Sequence, residues 1–137
     1  MIFLSQYVDK WSISIDWTPE RQNNANKLLD AANALVNCMS AYGIDFPVNP
    51  ATNSNISGQT LGGFRPQSCK IGAPKSNHKE GLALDIYDPA NTIDDWLMQN
   101  QDKLVEFGIY IEAPTATLGW SHWSIKPPKS GKHVFQP

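Results

Sequence analysis

Residues 76–85 read Ser-Asn-His-Lys-Glu-Gly-Leu-Ala-Leu-Asp, a stretch that contains both a strand signal and two candidate functional side chains. The alternation from Gly81 to Tyr87 predicts a strand whose two faces differ. Asp85 falls on the face opposite to the leucines, and His78 lies in the loop before the strand. A loop-to-strand span of this length can bring the two side chains to one point.

A second candidate histidine, His122, lies within Gly-Trp-Ser-His-Trp at residues 119–123. Two histidines and one carboxylate are a common ligand set for a catalytic zinc ion, and they leave a fourth position for water. The remaining histidine, His133, lies in an irregular segment near the end of the chain and is interpreted as structural or exposed. His78, Asp85 and His122 are therefore the candidate metal ligands.

Two helices are indicated by their end signals. Residues 18–20 (Thr-Pro-Glu) combine a hydroxyl N-cap, a proline at the first helical position and an acid in the first turn. Apolar residues then recur with helical spacing as far as Met39, and Gly43 is the predicted stop. A second helix is predicted from an N-cap at Thr92 to a stop at Gly108.

Three further strands are predicted, at residues 12–17, 109–112 and 120–125. Strands and helices are mixed without β-α-β alternation, which favours an α+β fold. At 137 residues the chain is long enough to bury a core of its own. We expect one domain spanning residues 1–137, in which a small antiparallel sheet carries the metal site and packs with two main helices.

The composition excludes several classes of partner. The formal net charge of −2 gives no general attraction to nucleic acid or to an anionic membrane. No apolar run approaches the roughly 20 residues of a membrane span, and the start of the chain lacks the basic region of a signal peptide. We expect a monomer that is made in the cytoplasm without a signal peptide. It should bind no nucleic acid and should not insert into membranes. Cys38 and Cys69 are expected to be free thiols.

The candidate ligands stand in a longer pattern, which comprises Ser76, His78, Gly81, Ala83, Asp85, Trp120 and His122. This pattern resembles that of the D-alanyl-D-alanine carboxypeptidase-like zinc peptidases, which act on peptidoglycan. Upstream, residues 63–65 (Gly-Phe-Arg) resemble the segment that precedes the first ligand in that family. Downstream, residues 120–137 resemble the ending of a phage-borne branch. The resemblance covers roughly residues 18–137.

The resemblance implies that His78, Asp85 and His122 hold zinc, which would lower the pKa of a bound water to about 7. It favours Arg65 as a catalytic residue that also anchors substrate, because a guanidinium suits a carboxylate or a developing oxyanion. A surface ion pair is the alternative for Arg65. Three further residues are candidates for contact with the substrate: Gln67, Ser76 and Trp120. For Ser76, support of a ligand and capping of the loop remain open.

The general base is where the chain departs from the family pattern. Members commonly carry a Glu or Asp three residues before the last histidine, and here that position is Gly119. We predict that Glu112, which ends the preceding strand, takes this catalytic role. The alternative for Glu112 is a surface glutamate, and Glu80 is the second candidate base.

The predicted function is zinc-dependent hydrolysis of an amide bond in the peptide stems of bacterial peptidoglycan. D,D-carboxypeptidase action and endopeptidase action on the L-Ala-D-Glu link both remain open. The short form suggests a phage or prophage protein that reaches the wall after lysis, by holin-mediated release or as a virion component. The alternatives are a non-catalytic zinc-containing wall-binding module and a phage structural protein without metal.

Overall fold

The structure is a computed structural model that describes residues 1–73 and 75–137. These residues form four helices and a four-stranded mixed sheet, which confirms the predicted α+β class. The helices are α1 (Leu4–Val8), α2 (Pro19–Ala41), α3 (Thr92–Gln99) and α4 (Gln101–Phe107). The strands are β1 (Ala83–Tyr87), β2 (Tyr110–Glu112), β3 (Trp120–Ser124) and β4 (Val134–Phe135). Short 3-10 helices span Asp9–Ile13, Asn77–Glu80 and Pro114–Ala116.

The sheet has the strand order β1-β3-β2-β4. β3 pairs antiparallel with both β1 and β2, as predicted, whereas β4 pairs parallel with β2. The prediction of a purely antiparallel sheet is therefore wrong for its last strand. The chain reverses direction after β3 and passes over to the far side of β2, so that β4 runs in the same direction as β2.

Helix α2 begins and ends as its sequence predicts. The Thr18 hydroxyl accepts a hydrogen bond from the Arg21 backbone N–H, and Pro19 occupies the first turn. After Ala41 the chain leaves the helix through Gly43, whose φ of +84° favours glycine. One face of the helix is buried and comprises Ala25, Leu28, Leu29, Ala32, Leu35, Val36 and Met39.

The second predicted helix is divided in two. Its N-cap is Asn91 rather than Thr92, and the Asp88 carboxylate accepts hydrogen bonds from the backbone N–H groups of Ile93 and Asp94. The helix then breaks at Asn100, whose non-helical backbone separates α3 from α4. Asparagine has a low helix propensity. The apolar pattern of the sequence around Asn100 nevertheless gave no sign of a break.

The strand predicted at residues 12–17 does not form. The segment contains the end of a 3-10 helix and a turn, and Ile13 and Ile15 are 93% and 94% exposed. Their alternation with polar residues therefore does not reflect a buried face. No helix within the described residues is both long and apolar enough to cross a membrane.

Candidate metal centre

The side chains of His78, Asp85 and His122 meet at one buried point. One potential ligand atom from each lies within 4.8 Å of the other two. Asp85 Oδ1 is 3.2 Å from His78 Nε2 and 2.9 Å from His122 Nδ1. The structure thus brings together the three predicted ligands, and the group could hold a metal ion.

Strand pairing and one tight turn place these side chains. Asp85 on β1 lies directly opposite His122 on β3, so the two side chains project from the same face of the sheet. His78 lies in the 3-10 helix Asn77–Glu80, which ends at Gly81 with a φ of +75°. A Cβ on Gly81 would lie 2.6 Å from the Arg21 carbonyl oxygen of α2, so this position requires glycine both for its backbone and for its close packing.

Hydrogen bonding of the rings selects which nitrogen atoms face the group. His78 Nδ1 is 2.8 Å from the Gly63 carbonyl oxygen and donates its proton there, which directs Nε2 at Asp85. His122 presents Nδ1 to Asp85, while its Nε2 faces Glu112. The ligand atoms available to a metal are therefore His78 Nε2, Asp85 Oδ1 and His122 Nδ1.

The charges within the group compensate one another. Burial by itself raises the pKa of Asp85, but the charge of His78 and hydrogen bonds from His122 and His78 outweigh burial and lower it. Burial likewise lowers the pKa of His122, but the hydrogen bond and charge of Asp85, with the charge of Glu112, raise it overall. The group thus keeps the buried Asp85 carboxylate ionised, as a carboxylate ligand of a metal must be.

Arg65 contacts the second oxygen of Asp85. Its Nη2 lies 3.4 Å from Asp85 Oδ2, and its Nε donates a hydrogen bond to the Leu61 carbonyl oxygen at 2.7 Å. The side chain is only 12% exposed, so the alternative of a surface ion pair does not describe it. By holding Oδ2, Arg65 leaves Oδ1 directed at the two histidines.

Glu112 lies beside the group, as the prediction of a nearby acid requires. Its Oε1 is 4.0 Å from His122 Nε2, and its side chain is 20% exposed. Glu80, the second candidate base, instead pairs with Arg21 at 3.8 Å. It is not among the described residues that line the cavity next to the three ligands. Gly119 has a φ of +86° and donates its N–H to the Asn91 side chain.

The group lies in the wall of an open cavity of about 330 Å³. Besides the three ligands, the described residues that line it are Arg65, Gly72, Ala73, Lys75, Ser76, Asn77, Glu112, Trp120 and Phe135. The Ser76 hydroxyl accepts a hydrogen bond from the His78 backbone N–H at 3.3 Å, so Ser76 caps the turn as well as lining the cavity. Gln67 is exposed outside this lining, and its backbone N–H donates to Asp16. Contact of Gln67 with a substrate stays a prediction.

Comparison with family models, with curated proteins and with solved structures finds nothing that matches this chain. The resemblance of residues 76–85 and 120–123 to zinc peptidases therefore stays a prediction. The structure adds the geometry of the three ligands and of the cavity that they line.

Asp94 is a supporting residue that sequence reasoning missed. The sequence places it only in the first turn of the helix predicted to follow Thr92, where acids are common, yet its side chain is fully buried. Ser121 donates a short hydrogen bond to Asp94 Oδ1, and Thr117 donates to Oδ2 at 3.1 Å. Ser121 in turn accepts a hydrogen bond from the Trp123 indole N–H at 2.8 Å. Asp94 therefore ties α3 to the strand that carries His122.

Because Asp94 is buried, its pKa is raised from 3.8 to about 6. Hydrogen bonds from Ser121 and Thr117 lower this pKa in part, whereas the charges of Asp88 and Asp95 raise it further. The folded state therefore binds the Asp94 proton more tightly than the unfolded state does, and this proton binding stabilises the fold. The stabilisation is complete below pH 3.8 and is lost as the pH rises through about 6.

We expect Asp94→Asn to remove this pH-dependent loss. The free energy of unfolding of the variant minus that of the unmutated protein should increase by about 2–3 kcal/mol from pH 4 to pH 7. Urea unfolding at both pH values measures the difference. The exposed Asp95→Asn is the matched control and should follow the unmutated protein. A pH trend shared by all three proteins would show that Asp94 does not titrate in this range.

Proposed function

We propose that the protein is a zinc-dependent hydrolase that cleaves an amide bond in the peptide stems of peptidoglycan. One observation carries the proposal: the buried group of His78, Asp85 and His122 opens onto a cavity with Glu112 beside it. Three protein ligands that face an accessible space are typical of catalytic rather than structural zinc sites.

The donor set fits zinc. Two imidazole nitrogens and one carboxylate oxygen match its preferred ligands, and the Gly63 carbonyl that orients His78 is a typical outer partner of a zinc-bound histidine. When bound, zinc supplies an acidified water and polarises a substrate carbonyl. This assignment of the metal rests on ligand chemistry.

The side chains around the ligands have complementary roles in this proposal. Glu112 takes a proton from the attacking water and passes it to the leaving amine. Arg65 keeps Asp85 in place and presents Nη1, which lies beside Gly72, to a substrate oxygen. Trp120 and Phe135 form aromatic walls that hold the peptide in the cavity.

The substrate class is inferred from the sequence pattern. The order of residues in 76–85, followed by Trp120 and His122, is similar to that of peptidases that act on the cell wall. An open cavity suits an extended peptide. On this proposal the protein is of phage or prophage origin and acts on the wall after lysis, by holin-mediated release or as part of a virion.

A non-catalytic zinc module is the second candidate, and the position of Glu112 favours it. Glu112 faces Nε2 of His122, the nitrogen that is not directed at Asp85. A carboxylate in that position can orient a ligating histidine without taking part in proton transfer. Gly119 supplies no acid in its place.

Digestion of purified cell walls followed by mass spectrometry of the muropeptides tests the proposal. Zinc-loaded protein should release products that differ from the intact stems by one hydrolysed amide, and their masses identify the bond. Chelated protein and the His122→Ala variant should release none. If the zinc-loaded protein leaves walls of several stem compositions unchanged, the non-catalytic module is the better description.

A further inference from the structure

A second cavity adjoins the metal cavity at Phe135, which lines both. We call it the basic trough and define it by Lys129, Ser130, Lys132 and Phe135. Its volume is about 600 Å³. The shared Phe135 places the two cavities next to each other along β4.

The trough is positively charged. Lys129 and Lys132 line it, and no acidic residue is among the described residues of its lining. Within the part of the chain that the structure describes, neither lysine forms an ion pair. Two uncompensated ammonium groups beside a cavity attract anionic ligands, although the chain as a whole carries a net charge of −2.

Backbone hydrogen bonds fix β4, which forms one side of the trough, against the strand that ends at Glu112. The Ile111 N–H donates to the His133 carbonyl at 2.7 Å, and the Ala113 N–H donates to the Phe135 carbonyl at 2.8 Å. The two bonds are made by the residues immediately before and after Glu112, and Glu112 itself pairs with Phe135 in the sheet. The His133 ring also stacks on Tyr110, with ring centroids 4.1 Å apart. The trough is thus attached to the strand that carries the proposed base.

We propose that the basic trough binds a carboxylate of the substrate and so selects acidic peptide stems. This inference rests on the proposed function, because peptide stems carry free carboxylates close to their amide bonds. Lys129 and Lys132 neutralise such a carboxylate while the scissile amide lies at the metal group. Both lysines are exposed and neither lines the cavity of the ligand group, so the proposal assigns them to binding and not to the chemical step.

The test compares a stem pentapeptide with the same peptide in which every carboxylate is a carboxamide. The unmutated, zinc-loaded protein should cleave the acidic peptide with a kcat/KM about three- to tenfold higher, as expected for two partly exposed charge contacts. The double variant Lys129→Gln/Lys132→Gln should lose this preference through a higher KM for the acidic peptide, with kcat unchanged. The control Lys27→Gln/Lys126→Gln makes the same change in net charge outside the trough and should keep the preference.

Binding measurements separate this inference from the proposed function. Titration of the Glu112→Gln protein, which is expected to cleave the peptide slowly, should give a ratio of dissociation constants for the two peptides that equals the ratio of their kcat/KM values in the unmutated protein. If binding of the acidic peptide is preferred and this preference depends on both lysines, but the unmutated protein hydrolyses nothing, the result supports carboxylate binding by the trough and contradicts the proposed hydrolase function. Equal binding of the two peptides, or a preference that survives in the double lysine variant, would overturn the trough.

Discussion

Glu112→Gln is expected to lower kcat by about 10²- to 10⁴-fold, because the amide cannot accept the proton that the attacking water must lose. The substitution preserves size and polarity, so the fold and the zinc content should not change. Steady-state hydrolysis of a stem peptide by zinc-loaded protein measures the effect. Glu80→Gln is the matched control and should keep full activity, because Glu80 pairs with Arg21 away from the cavity.

The same variant also distinguishes the two roles available to Glu112. If its carboxylate only orients His122, Glu112→Gln should weaken zinc binding by about 10- to 100-fold, and activity should return at saturating zinc. Activity that stays low at saturating zinc supports the role of general base. Unchanged activity in Glu112→Gln would refute the assignment of the base.

Zinc is expected to stabilise the folded protein strongly, because it binds a preformed group that the unfolded chain lacks. At a free zinc concentration about 1,000 times the dissociation constant, the gain is about 4 kcal/mol. For a domain of 137 residues this corresponds to a rise in Tm of about 14 °C. Thermal unfolding followed by circular dichroism, with and without zinc, measures the shift.

His78→Ala should abolish this stabilisation, because it removes the ligand atom Nε2. The variant is expected to fold without zinc, since the buried helix and sheet core does not depend on the metal. His133→Ala is the control: this histidine stacks on Tyr110 and bonds to the Ile109 carbonyl, so the variant should keep the zinc-dependent rise. Equal shifts in both variants would mean that zinc binds outside the proposed group.

Local patterns predicted the parts of the fold that local forces determine. Helix α2 follows from its cap at Thr18 and its apolar face, and β1 follows from alternation around Asp85. The candidate ligand group was also predicted, from the chemistry of two histidines and a carboxylate and from the resemblance of residues 76–85 and 120–123 to zinc peptidases, and its three side chains do meet. Asp85 and His122 then meet through a strand pairing that the sequence did not specify.

The parts that were missed depend on tertiary contacts. The parallel pairing of β4 depends on the path of the chain after β3. Ile13 and Ile15 alternate with polar residues as in a strand, but both are exposed and the segment pairs with no sheet. Asp94 has the same local sequence pattern as a solvated helix acid, and its role is evident only from its burial and its hydrogen bonds from Ser121 and Thr117. Phe135 enters the cavity wall only because β4 pairs with the strand of Glu112.

The metal centre is the central claim, and anomalous X-ray diffraction at the zinc edge from protein purified without chelators tests it most directly. The account predicts about one zinc ion per chain, about 2.0–2.2 Å from His78 Nε2, Asp85 Oδ1 and His122 Nδ1. Protein that contains no zinc after incubation with the metal, or a zinc ion held by other side chains, would contradict it.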